Sequence, residues 1–428
     1  MAQLHRSLGL FQTTMYGVGL ILGAGIYALI GDATEEAGNV VWVSFVLAAV
    51  ASVFTGLSYA ELSSMYPKAA AEFSFVKNAF KNNFAAFIVG WLTLFVAIVS
   101  ASAIALGFGG YFSSMFGIPV LLCAVFAIIV LSFVNFFGIR ESSSMNIVFT
   151  VIEAAGLGFI VWIGFGLFGD VSVDYFEAPH GLAGIFSAFT LVFFAYIGFE
   201  NIANIAEEVR NPRKVIPRAI ILSISITAII YILVSISTIR VLDWQDLGIS
   251  IAPLADVAKK ALGPQAQFVL SAIALFATTN TVLIMLVSGS RILYGIANDG
   301  TLPVFFSRIH KKRKTPWIAV FVIGAMSVLF TLAGDLSTVV NISVFGIIMV
   351  FVFVNVTLIW LRFKQPDAER QFRSPLSVKN VPILPVLGIV TPIFGIVHFD
   401  LYVILMGTGV VGAGVLFYLI YNKVSRKE

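Results

Sequence analysis

Three glutamates, Glu61, Glu153 and Glu200, lie inside long apolar stretches of the chain. A carboxyl group there costs at least about 2.5 kcal/mol to insert into hydrocarbon, so an acid at such a place is read as functional or paired. Glu61 lies near the end of its stretch, within reach of water or basic residues, and is expected to be structural. Glu200 follows a glycine-containing interruption, where it can cap an unwound turn, gate, or sense protons. Glu153 sits eight residues into its stretch, about 12 Å of helical rise, with no basic residue nearby in sequence. Burial disfavours its charged form, so it can carry a proton, or it can stay ionised and ligate a cation.

Two further segments are unsuited to unbroken helix. Gly17, Gly19, Gly23 and Gly25 fall within nine positions, each costing about 1 kcal/mol relative to alanine in a helix. Phe193 to Glu200 reads FFAYIGFE, a glycine beside an acid. Where a helix breaks, one half exposes N–H groups and the other exposes carbonyls. Neither tolerates lipid, so both must line a cavity. N–H groups at Gly23 to Gly25 suit a carboxylate, and carbonyls at Phe194 to Ile197 suit an ammonium group. Together they describe a receptor for an α-amino acid. The competing reading for Gly17 and Gly19 is close helix packing. Gly23 to Ala28 also fits a loosened dinucleotide fingerprint, but no βαβ unit surrounds it.

The elements that carry these residues follow from composition. Only 11% of the 428 residues are charged and 59% are hydrophobic, against about 25% charged in soluble domains. That excludes a soluble fold and points to an all-α polytopic membrane protein. Twelve apolar stretches are expected to span the bilayer, at about 11–32, 40–65, 83–112, 119–138, 145–168, 184–206, 217–240, 265–298, 317–333, 337–362, 381–396 and 400–421. The third, eighth and tenth exceed the bilayer thickness. Alternating loops place only Arg240, Lys259 and Lys260 outside, leaving 23 of 26 basic residues inside. Both termini are therefore expected in the cytoplasm, with the chain in the plasma membrane. The polar start of the chain leads into a first span with no cleavage site. The basic run Arg308 to Lys314 looks like a nucleic-acid patch but falls where inner charge is needed, so no nucleic acid is expected.

The broken segments are spans one and six. Five spans separate them, an odd number, so a duplicated five-helix unit must be inverted relative to its copy. No metal spacing surrounds His5, His180, His310 or His398, no phosphate loop occurs, and Cys123 is alone. Enzyme chemistry is not expected.

The stretch GVGLILGAGIY, the segments around Tyr59 to Leu62 and Tyr66 to Glu72, FFAYIGFENIANIAEEVRNPRKVIPRAI from Phe193, and SRILYGIANDGTLPVFFSRIHKKRKTP from Ser290 resemble the amino acid-polyamine-organocation transporters, in their cationic-amino-acid-transporter-like branch. The resemblance implies a LeuT-like fold in a single domain, with repeats at 11–168 and 184–362 and two trailing helices at 381–421. It implies that Ile21, Gly23, Ala24 and Gly25 hold the substrate carboxylate and that Phe194, Ala195 and Ile197 offer carbonyls to the amine. Ala24 replaces a Thr or Ser common in the family, and Ala70-Ala71 replaces Gly-Gly. Relatives place a lysine where this chain has Glu153. Asn280 and Thr281 resemble positions of the fold's ion ligands, so Glu153, Asn280 and Thr281 form a candidate sodium site. The expected activity is secondary active transport of L-amino acids, coupled to H+ in preference to Na+, with neutral substrates preferred, no cofactor and no obligate protein partner. Exchange, polyamine or cationic amino acid transport, and a non-transporting receptor stay open as alternatives.

Overall fold

The computed structural model describes residues 8–68, 71–137, 143–167, 172–206, 209–313, 315–397 and 399–425. His5, Ala70, Glu207, Glu208, Lys314 and His398 of the sequence analysis lie outside them.

Helices dominate. In chain order they are α1 (Leu10–Leu22), α2 (Ala24–Ala37), α3 (Val41–Met65), α4 (Ala71–Phe80), α5 (Asn83–Phe116), α6 (Val120–Phe137), α7 (Ser143–Trp162), α8 (Gly181–Ala195), α9 (Asn201–Asn204), α10 (Pro212–Val241), α11 (Trp244–Gly248), α12 (Pro253–Leu262), α13 (Pro264–Asn298), α14 (Trp317–Thr331), α15 (Leu336–Lys364), α16 (Ile383–Ile396) and α17 (Leu401–Ser425). Among the described residues eight helical stretches are long and apolar enough to cross a membrane, and three shorter apolar helices join them. The chain is thus a polytopic helical membrane protein. The first of these stretches, Leu10–Met65, is interrupted at Gly23 and again at Gly38–Val40.

Local chemistry sets the ends. Asn82 accepts hydrogen bonds from the N–H groups of Phe84 (2.9 Å) and Ala85 (3.2 Å) at the start of α5, and Asp335 accepts one from Thr338 (2.9 Å) at the start of α15. Such side-chain oxygens satisfy donors that no preceding turn can pair. Proline occupies the first turn of α10, α12 and α13, where its missing N–H costs nothing. The 35 residues of α13 extend about 52 Å, well beyond the hydrocarbon core, as the apolar run predicted.

Three short helices, α4, α11 and α12, were not anticipated. Gly31 of α2 closely approaches the Leu247 carbonyl at 2.9 Å from where a Cβ would lie, and Gly110 of α5 likewise approaches the Ile251 carbonyl at 2.3 Å. The segment that carries α11 therefore seals the far end of α2. Among the described residues, extended pairing is confined to a two-stranded hairpin, Ser377–Val378 with Val381–Pro382, and an isolated parallel bridge between Leu8 and Val209. At the centre, α5 is mostly buried, with α13 and α15 packed along it, while α17 faces outward.

Candidate functional site

The site is built where two helices stop. α1 ends at Leu22, and α2 begins at Ala24 with no side chain capping its first turn. α8 ends at Ala195, and a turn over Tyr196–Glu200 leads to α9, with Gly198 at φ +136°. Glycine is required in that left-handed region. A Cβ there would also be crowded, 3.1 Å from the Leu20 carbonyl carbon and oxygen.

The two interruptions touch. A Cβ on Gly25 would lie 2.6 Å from Ala195 Cα and 2.8 Å from Ala195 Cβ, and one on Gly23 would lie 2.4 Å from Thr281 Oγ1. Gly17 abuts Ile202 and Ser223, and Gly19 abuts Thr150, so the packing reading of those two glycines is correct. Because the obstacle at Gly25 is backbone, a side chain cannot be accommodated by a rotamer change. Gly25→Ala is expected to cut substrate uptake by about tenfold or more, the cost of a 1.4 kcal/mol misfit, while membrane levels of the protein stay near wild type. Uptake at the wild-type rate would show that the two interruptions need not meet.

A small cavity lies at the junction, with about 20 Å³ of space for the centres of water molecules. Leu20, Ile21, Ala24 and Gly25 line it from the first break, and Phe194, Ala195 and Ile197 from the second. Ser100 and Ile104 of α5 and Thr281 and Met285 of α13 complete the wall. Six of the seven expected substrate residues therefore meet around one cavity. Gly23 stands beside them against Thr281. No charged side chain lines the space among the described residues.

Several carbonyls there already have donors. The Tyr231 hydroxyl of α10 donates to the Ile21 carbonyl and to the Ala195 carbonyl (3.1 Å), and the Ile197 N–H donates to Phe194 (3.0 Å). Each acceptor keeps a second lone pair. Tyr231 escaped the sequence reading because a lone tyrosine in an apolar helix looks like core. Ser100, whose hydroxyl pairs with Ser343 of α15 at 2.8 Å, Ile104 and Met285 carried no signal either.

The three glutamates have three different surroundings. Glu61 is fully buried and paired with two arginines: Arg362 at 2.7 and 2.6 Å and Arg370 at 3.0 Å. The Ser374 N–H donates to the same carboxylate at 2.8 Å. Glu200 accepts the Gly198 N–H at 2.8 Å and the Asn201 amide at 3.0 Å, which makes it the cap of the unwound turn. Beside that turn, Glu72 of α4 is buried, accepts the Tyr59 hydroxyl at 3.2 Å, and is pushed above the ordinary carboxylate range by burial. The Ala71 N–H donates to Asn204 at 2.8 Å, so α4 is tied to the end of α9.

Glu153 is fully buried, and neither carboxyl oxygen has a hydrogen-bond partner. The Asn280 side chain faces the carboxyl group without completing a hydrogen bond to it. The Tyr27 hydroxyl donates to the backbone carbonyl of Glu153 at 2.8 Å, and the Tyr111 hydroxyl to the carbonyl of Tyr27 at 2.7 Å. These bonds fix α7 against α2 and α5. Among the described residues no group of three or more His, Cys, Asp or Glu is placed to hold a metal ion.

Comparison with known proteins identifies the family. Residues 8–421 match the family described as amino acid permease. The chain is 31% identical to the branched-chain amino acid permease BcaP of Bacillus subtilis, over 99% of this chain and 94% of that protein. It is 28% identical to the methylthioribose transporter of the same organism, over 90% and 86%. It is 31% identical to the vacuolar cationic amino acid transporter 4 of Arabidopsis thaliana, over 85% and 64%. These relatives are carriers, not enzymes. A helical membrane chain with two touching helix breaks and this match along nearly its whole length belongs to the amino acid permease family, within the amino acid-polyamine-organocation superfamily.

Proposed function

We propose that the chain is a secondary active transporter that moves neutral, apolar L-amino acids by alternating access, with a proton carried by Glu153 as the coupling ion. The observation that carries the substrate reading is the cavity wall. Backbone groups at the two helix breaks offer opposite polarity for the carboxylate and ammonium of an α-amino acid. The remaining wall, Leu20, Ile104 and Met285 with the small hydroxyls of Ser100 and Thr281, has no charge for a cationic side chain. The similarity to a branched-chain amino acid permease supports the same class.

In this reading the twelve apolar segments all span, spans one to five and six to ten form inverted repeats, and the Lys and Arg bias holds both termini in the cytoplasm. The cavity is too small for an amino acid, so substrate binding requires the broken helices to separate. Glu153 supports proton coupling because an ionised carboxylate without partners is costly in a low-dielectric interior. A neutral, protonated carboxyl costs far less.

Uptake of labelled leucine into proteoliposomes tests both parts. An imposed inward proton gradient is expected to drive accumulation without sodium, with excess isoleucine or valine competing and excess lysine failing to compete. Equal competition by lysine would overturn the neutral-substrate reading, and accumulation driven only by sodium would overturn the proton reading. Binding without any uptake would leave a receptor.

A further inference from the structure

The connection from α13 to α14 combines exposed cations with exposed apolar side chains. Arg308, Lys311, Lys312 and Arg313 are all exposed, and so are Val304, Phe305, Ile309 and Trp317. The sequence contains no acidic residue between Gly300 and Gly334. None of these four cations takes part in an ion pair among the described residues. Positive-inside bias accounts for their sign. It does not account for apolar side chains left in the open beside them.

The segment is also held in one shape. Thr315 donates its hydroxyl to the Phe136 carbonyl at 3.0 Å, and the His310 N–H reaches the Thr315 carbonyl at 2.8 Å. The Arg313 guanidinium stacks 5.0 Å from the centre of the Phe137 ring, a cation–π contact. Tyr421 of α17 donates to the Leu302 carbonyl at 3.1 Å. The cations are thus displayed on a turn clamped to the ends of α6 and α17.

Helix length sets the depth of that turn. α14 has 15 residues, about 22 Å of rise, against a hydrocarbon core of about 30 Å. A helix that short draws its ends toward the membrane interior or thins the bilayer around them. Trp317, its first residue, is of the type enriched at the interface. The cations just before it are therefore carried to the level of lipid phosphates, with Val304, Phe305 and Ile309 positioned to meet acyl chains.

We propose that this turn is a docking surface for anionic phospholipid headgroups, with Arg308, Lys311, Lys312 and Arg313 contacting phosphate and the neighbouring apolar side chains seated among the lipid tails. The surface joins directly to α13, which places Thr281 and Met285 on the cavity wall. Lipid held here steadies the end of that helix.

The test counts lipids retained by the full chain in detergent micelles doped with equal amounts of phosphatidylglycerol and phosphatidylcholine, using native mass spectrometry. Wild type is expected to retain phosphatidylglycerol in excess, by roughly fivefold for each cation in contact, and the excess is expected to shrink as salt rises. The triple variant Lys311→Gln, Lys312→Gln, Arg313→Gln is expected to cut the excess to roughly fivefold, the share of the remaining Arg308. The variant Lys259→Gln, Lys260→Gln, at the end of α12 and away from this surface, is expected to keep the excess. Equal retention of both lipids by wild type, or an excess unaffected by salt, overturns the proposal without reliance on any variant. An undiminished excess in the triple variant overturns it as well. Abolition of the excess by inorganic phosphate at the same concentration as the lipid would assign the cations to a free phosphate instead, and overturn it too.

Discussion

Glu61→Ala is expected to destabilise the chain by about 3–5 kcal/mol, the cost of removing one partner from a buried ion pair. The carboxylate is fully buried and the Arg362 side chain is 1% exposed, so water cannot replace the lost charge. Arg362 Nη1 already lacks a partner, which leaves no reserve of hydrogen bonds. Arg370 also caps the end of α15 by donating to the carbonyls of Leu361 (3.3 Å) and Gln365 (2.8 Å). Removing Glu61 therefore leaves two guanidinium groups repelling each other beneath the segment that follows α15. The thermal midpoint and denaturant resistance in mild detergent measure the effect.

Two controls separate charge from packing. The Lys77–Asp299 pair is 3.4 Å long and about 40% exposed on each side, so Asp299→Ala is expected to cost no more than about 1 kcal/mol. The double variant Glu61→Leu, Arg362→Leu is expected to be less damaging than Glu61→Ala, because it leaves one uncompensated guanidinium, that of Arg370, in place of two. A Glu61→Ala protein as stable as wild type would mean that water enters the cluster and the pair is not truly dry.

The contrast between Arg362 and Lys77 shows what a linear sequence conceals. Arg362 reads as one more inner cation at the end of an apolar run, and Glu61 as an acid able to reach such cations. The partner itself lies 301 residues away, and no periodicity links the two. By contrast, helix interruptions were legible because glycine and an acid inside an apolar run conflict with helix locally. Their mutual contact was not, since Gly25 meets Ala195 only when α2 packs on α8. Gly17 and Gly19 show the limit most directly: the same residue type signals a ligand approach or a helix contact, and only the neighbour decides. The cavity residues from α5 and α13 were silent because Ser100, Ile104 and Met285 are ordinary in apolar helices. Tyr231 was silent for a related reason, a hydroxyl whose importance comes from two carbonyls on other helices.

Glu153→Gln is expected to abolish coupling while sparing the fold. Glutamine keeps the volume of the carboxyl group and can still face Asn280, but it cannot gain or lose a proton. The bond that anchors this part of α7 runs from Tyr27 to the backbone carbonyl, so the substitution leaves it intact. If one proton moves with each substrate, a gradient of about one pH unit stores about 1.4 kcal/mol and supports about tenfold accumulation. The variant should reach a ratio near one under the same gradient and still exchange labelled for unlabelled substrate, because the cavity wall is unchanged. Tyr27→Phe is the complementary change, removing the anchor while keeping the carboxyl, and is expected to lower the rate without losing the response to pH. Undiminished proton-driven accumulation by Glu153→Gln would remove Glu153 from the coupling mechanism. A sodium-dependent wild type whose sodium dependence disappears in the variant would keep Glu153 as the coupling residue but make its ligand the metal ion, with Asn280 and Thr281 as neighbouring oxygen donors.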